Sequence, residues 1–216
     1  MKYLFFWPVY GFFFLLVERL WIRESYTPIH CPLDDQIPFC EYFLIPYLLW
    51  FVFLVGIQIY TLLYDTESFV KFMKFIMVSY SLAIIIYMLF PNCQELRPMV
   101  FERDNLFTKF LEGFYQFDTN TNVCPSIHVI GSVAVMICGW NCKSLNTPGW
   151  RIFFGISAFL ISISTVFLKQ HSVLDILAAI PVCIAAYLAA YWRDRKKKGN
   201  INNETENRNT QSEKNG

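Results

Sequence analysis

Two of the chain's three histidines lie in short polar stretches flanked by apolar runs: Cys124-Pro125-Ser126-Ile127-His128 and Lys169-Gln170-His171-Ser172-Val173-Leu174-Asp175. Imidazole changes charge near neutral pH and serves as general acid, general base or nucleophile. His171 and Asp175 stand one helical turn apart and share a face. A carboxylate in that place accepts the Nδ1 proton, fixes the tautomer and leaves Nε2 free to attack. On a phosphate ester, the product of that attack is a phosphohistidine. Pro125 suits the first turn of a helix, whose open N–H groups make an anion site, and Ser126 adds a hydroxyl donor. His128 then stands where it can protonate a leaving alkoxide.

Arg97 precedes Pro98, which holds its backbone extended. Its guanidinium is a candidate for a bidentate grip on phosphate oxygens. Lys169 and the hydroxyls of Ser164 and Thr165 are further phosphate-binding candidates. Each group also has a plainer reading. His171 and Asp175 make a helix cap with a buried ion pair, His128 is a polar residue at headgroup depth, and Arg97 contacts lipid headgroups. Ionisable groups at the lip of a membrane helix are costly, and this favours function over packing.

The elements that must position these groups are apolar. Of 216 residues, 55% are hydrophobic and only 16% charged, and the charges avoid long windows of the chain. A bilayer core of roughly 30 Å needs about 20 apolar residues in a helix. Candidate spans are 3–22, 43–64, 72–90, 125–140, 150–168 and 174–192. The solid Phe, Leu and Ile runs lack the alternation of a membrane strand, so the fold class expected is all-α, an integral membrane six-helix bundle. The first span has only Lys2 as a basic flank and no small-residue cleavage site after Val17, which reads as a retained anchor.

With the N-terminus cytoplasmic, the inner segments hold Lys2, Lys71, Lys74, Lys143, Arg151 and the cluster from Arg193 to Lys198. The basic excess then lies inside, as membrane insertion prefers. Both termini are cytoplasmic in this topology, and the active site faces the extracytoplasmic side. Six spans bring Arg97, His128 and His171 to that one side, although topology and motifs are argued from different residues. The basic residues sit in short loops and form no nucleic-acid-binding face.

Residues 1–198 read as one membrane domain. Residues 199–216 contain Ile201 as their one large apolar side chain and read as a disordered polar tail. Leu106, Phe107, Phe110, Leu111 and Phe114 recur at helical spacing behind Asp104 and Asn105, which predicts an interfacial helix with its phenyl face in lipid, either an anchor or a gate. The seven cysteines show no metal-type spacing and read mainly as small apolar fillers, with a Cys31–Cys40 disulfide as the alternative. His30, Asp34 and Asp35 lie in a turn-rich loop without a defined ligand geometry, so no metal and no cofactor is expected.

In order and spacing, Arg97-Pro98, Pro125-Ser126-x-His128 and Ser164-x6-His171-x3-Asp175 resemble the three motifs of the type 2 phosphatidic acid phosphatase superfamily. The resemblance covers residues from about 90 to 175. It implies His171 as nucleophile, Asp175 as its orienting partner, His128 as general acid, Arg97 and Ser126 as phosphate ligands, and chemistry without a metal. Two family cations are missing. Phe90 stands where a lysine usually precedes the arginine by seven, and Thr165 stands where an arginine usually follows the serine. Lys169 is the candidate replacement.

The function expected is therefore hydrolysis of a lipid phosphate monoester or diphosphate in the bilayer through a phosphohistidine. The alternatives are a phospho-head-group transferase on the same histidines, resembling the sphingolipid phosphotransferases, and a non-enzymatic lipid-binding membrane protein. Apolar mid-span regions argue against a transporter.

Overall fold

A computed structural model describes residues 2–192. The tail at 199–216 and the basic cluster at 193–198 lie outside the described residues. Among the described residues the fold is all-α apart from one two-residue strand pair. Five helices there are long and apolar enough to cross a membrane: Lys2–Leu20, Glu41–Tyr64, Thr66–Leu89, Pro148–Phe167 and Val173–Trp192. Their regular α-helical parts are α1 (Phe6–Leu15), α3 (Leu44–Tyr64), α4 (Thr66–Leu89), α7 (Pro148–Phe167) and α8 (Val173–Tyr187). Two short helices outside these spans are α2 (Pro32–Gln36) and α5 (Leu106–Phe117).

The remaining apolar helix, α6 (Ile127–Asn141), matches the predicted span at 125–140 but has only 15 residues. At 1.5 Å per residue it extends about 22 Å, less than a bilayer core. It packs against α3, α4, α7 and α8, which surround it. Two glycines permit that enclosure. A Cβ on Gly131 would come within 2.7 Å of the Trp50 indole nitrogen, and one on Gly139 within 2.5 Å of the Phe154 ring. The central helix carries His128, so packing against four neighbouring helices fixes the depth of that residue.

Helix α4 begins six residues before the predicted span at 72–90. Asp65 caps it, accepting from the Ser68 N–H at 3.0 Å and the Ser68 hydroxyl at 2.8 Å. Capping thus extends the helix through a polar first turn that hydropathy alone leaves out. Helix α5 forms where its periodicity predicts, with the Asn105 side chain accepting from the N–H groups of Phe107 and Thr108. Part of its apolar face turns inward onto protein. Leu111 is fully buried, and Phe107 and Phe114 pack with it against Leu44, Tyr47 and Leu168. Burying this stripe on protein removes the same apolar area from water without a bilayer. Leu106, Phe110 and Phe117 remain exposed.

Three loops are knitted together at the approach to α6. Strands β1 (Thr27–Pro28) and β2 (Asn92–Cys93) pair in parallel, Thr27 opposite Asn92 and Pro28 opposite Cys93. The Asn92 side chain is wholly buried, accepts from the N–H groups of Val123 and Cys124, and donates to the Phe90 and Cys124 carbonyls. The approach to α6 is therefore tied to the end of α4. All seven cysteines are free thiols, Cys31 and Cys40 included.

Candidate active site

The N-termini of α6 and α8 meet. The Ser126 N–H donates to the Asp175 carbonyl at 3.2 Å, joining the two histidine segments directly. His171 Nδ1 lies 3.0 Å from Asp175 Oδ2, and that oxygen also accepts the Ser172 N–H at 3.0 Å. His171 is 6% exposed and Asp175 is fully buried. A carboxylate held in this way is an acceptor, so Nδ1 carries the proton and Nε2 is the basic nitrogen. The His128 ring stands 5.6 Å from that of His171, centroid to centroid. It is wedged between Tyr47 and Trp50, each 4.5 Å away, and the Tyr47 hydroxyl has no hydrogen-bond partner. Both imidazoles line a small cleft of about 40 Å³, together with Glu18, Asp118, Asn122 and Gln170.

The two helix ends differ. At α8, Ser172 accepts from the Leu174 N–H, and Asp34, brought in by α2, accepts from the Ser172 hydroxyl at 2.6 Å and the Val173 N–H at 2.8 Å. At α6 no side chain caps the first turn, and the fully buried Ser126 hydroxyl has no partner. An uncapped helix start with an unsatisfied hydroxyl beside it can take an oxyanion.

The remaining predicted ligands are placed otherwise. Arg97 donates to the carbonyls of Tyr115 (3.1 Å), Asp118 (2.7 Å) and Thr119 (3.0 Å) and to Gln170 Oε1 (2.5 Å). The fork expected to grip phosphate is thus committed to the end of α5 and to the neighbour of His171, and only Nε lacks a partner. Burial pulls the Arg97 guanidinium below its usual value, with Asp118 opposing. Arg97 accordingly acts on the cleft through Gln170. Lys169 does not stand in for the missing cations. Helix α7 ends at Phe167, Lys169 adopts a left-handed φ of 53°, and its ammonium donates to the carbonyls of Asp34 and Ile37 at 2.6 Å each. Ser164 and Thr165 return their hydroxyl protons to their own helix, at Ile161 and Ser162. None of these three lines the cleft.

Sequence reasoning missed Asp34 as a structural anchor, having weighed it as a metal ligand. His30 instead pairs with Asp35 at 2.9 Å on the surface, while Asp34 turns inward. Among the described residues, no three His, Cys, Asp or Glu side chains gather as a metal would need. Asp34 lies 138 residues from the hydroxyl it holds, a separation that carries no local signal. Burial alone would raise its carboxyl, but the hydrogen bonds from Ser172, Val173 and Cys31 outweigh it and hold the group below its ordinary value of 3.8. A depressed carboxylate gives its stability above the unfolded value and loses it as pH falls through the folded one. Asp34→Ala is expected to lower the unfolding temperature at neutral pH, the loss of one charged hydrogen bond alone being worth about 1.5–3 kcal/mol. It should also flatten the acid limb of stability, and thermal unfolding against pH checks both.

Cys124 is the other nucleophile close by. Burial and the Asp175 carboxylate push its thiol up to about 12, so it stays protonated at neutral pH and a thiolate mechanism has no reagent. Cys124→Ser should keep the wild-type turnover, measured as phosphate release; loss of turnover would make the thiol the attacking group.

No family model, curated protein or solved structure matches the chain.

Proposed function

We propose that this chain is an integral membrane lipid phosphatase of the type 2 phosphatidic acid phosphatase kind. Six helices cross the bilayer, the termini are cytoplasmic, and the cleft opens on the extracytoplasmic side. The carrying observation is the buried His171–Asp175 pair with the His128 ring 5.6 Å away in one cleft. His171 Nε2 attacks phosphorus, the N–P bond forms as the ester P–O bond breaks, and His128 gives its proton to the leaving oxygen. Water then attacks phosphorus, passes its proton to His128, and the N–P bond breaks. The uncapped start of α6 and the Ser126 hydroxyl hold the phosphate oxygens, and Asp175 balances the positive charge that grows on His171.

A second reading keeps the histidines and replaces water by an alcohol, which makes the chain a phospho-head-group transferase. The scarcity of free cations and the carboxylates of Glu18 and Asp118 in the cleft favour it. The test is phosphate release by detergent-purified protein from phosphatidic acid, phosphatidylglycerol phosphate and a polyprenyl diphosphate, with a chelator present. Release from one of these supports hydrolysis. Silence on all three, with headgroup transfer to an added alcohol, supports the second reading; silence in both assays rejects both.

A further inference from the structure

The ring of His128 is gripped by two aromatic side chains. Its Nδ1 is buried without a hydrogen-bond partner, although the mechanism asks this imidazole to carry a proton to the leaving oxygen. The start of α6 lies against α3, where Tyr47 and Trp50 stand three residues apart and so share one helix face. Each ring centroid lies 4.5 Å from that of His128, with the planes tilted by 31° and 48°. Both side chains are buried, and neither the indole nitrogen nor the Tyr47 hydroxyl has a hydrogen-bond partner. Polar bonding therefore does not place these rings. The indole is seated on Gly131, three residues along α6 from His128, where a side chain would collide with it. A phenylalanine at position 50 would leave no polar atom unmade. What tryptophan adds is the aromatic face that attracts a cation most strongly.

We infer that Tyr47 and Trp50 form an aromatic clamp that orients His128 and holds the proton on it, which makes them positioning residues for the general acid. The inference rests on the proposed phosphohistidine chemistry. A buried cation needs compensation for the water it gives up. An aromatic face within about 6 Å supplies it, most strongly where water is excluded. The ionisable groups around His128 are engaged elsewhere. Glu18 of the first span accepts from Thr121 and Asn122, and Asp118 after α5 pairs with Arg97 at 3.8 Å. Tyr87 of α4 donates to the Pro125 carbonyl, and at α8 Asp175 takes the His171 Nδ1 proton. Arg151, the one charged residue of α7, lies over Trp140, at the other end of α6 from His128. His171, 5.6 Å away ring to ring, opposes a second positive charge when it is itself protonated. The two rings are thus the direct contacts that favour the charged imidazole.

The clamp acts on one proton. The His128 imidazolium passes it to the leaving oxygen as the N–P bond forms and the P–O bond breaks, and the neutral ring takes one back from water in the second half. The two rings raise the fraction of His128 that begins each turnover charged. Their weight depends on the leaving group. An alkoxide leaves poorly unless it is protonated, whereas nitrophenolate leaves without a proton. Loss of the clamp therefore slows an alkyl ester more than a nitrophenyl ester, while general damage to the site slows both alike.

The experiment reads protonation directly and then turnover, on full-length protein in detergent. Nitrogen-labelled histidine is titrated by NMR in wild type, Trp50→Leu and Trp50→Phe, the His128 signal being the one missing from His128→Asn. The pH at which His128 takes its proton should fall by about one unit in Trp50→Leu, a roughly tenfold change in the equilibrium. It should fall by less in Trp50→Phe, which keeps a ring and carries the same test if leucine unfolds the protein. The ratio of phosphate release from phosphatidic acid to release from p-nitrophenyl phosphate should fall about tenfold in Trp50→Leu. An unmoved titration in the variants overturns the clamp, and turnover by the wild type then leaves the phosphatase reading standing. A moved titration with an unchanged ratio overturns the positioning role. A moved titration in a protein that turns over neither substrate keeps the hold of the rings on the proton and removes the catalytic reading.

Discussion

Replacing His171 by Ala is expected to abolish turnover, a loss on the order of 10⁴-fold or more, while the protein still folds, its unfolding temperature lowered by the loss of one hydrogen bond to a buried carboxylate. The scale follows from the role. In the proposed mechanism His171 alone forms the covalent phosphorus bond, and the nearby Cys124 thiol is held protonated. The fold survives because the imidazole contributes one hydrogen bond, to Asp175, while the His171 main chain keeps its bond to the Thr165 carbonyl at 3.1 Å. Phosphate release by the variant near the wild-type rate would assign the chemistry elsewhere.

Asp175→Asn is expected to lower the rate by about 10²–10⁴, the range for a misset acid–base partner. The amide keeps the shape of the carboxylate and loses its charge. If its NH2 faces the imidazole, the tautomer reverses and Nε2 becomes a protonated, non-nucleophilic nitrogen. If its oxygen faces the imidazole, the tautomer is kept and the positive charge on the phosphohistidine has no counterion. Both outcomes depress turnover while the Ser126 N–H bond to the Asp175 main chain remains. Asp34→Ala differs in kind, because it loosens the α8 start and moves the unfolding temperature. Wild-type turnover in Asp175→Asn would reduce the pair to a cap.

The helices were largely legible because hydropathy and capping are local. The predicted spans recur as helices, and Asn105 caps α5 where its position suggests. The His171–Asp175 pair was legible for the same reason, being one turn of one helix start. What local reasoning misses is the destination of long polar side chains. Lys169 and Arg97 looked free because their acceptors are main-chain carbonyls far along the sequence, and any residue can supply a carbonyl. Glu18 falls within the predicted span at 3–22, and only the folded loop after α5 gives it Thr121 and Asn122 as partners. The length of α6 was likewise illegible, since a helix enclosed by four others need not match a bilayer.

The central claim is a covalent phosphohistidine on His171, and the direct measurement is to trap it. The purified protein is mixed with a lipid phosphate labelled at phosphorus, quenched in alkali within a turnover, digested and mapped. Label that is stable to alkali, lost in acid and carried by the peptide containing His171 is the predicted result. Turnover without any protein-bound label, or label on another residue, contradicts the account.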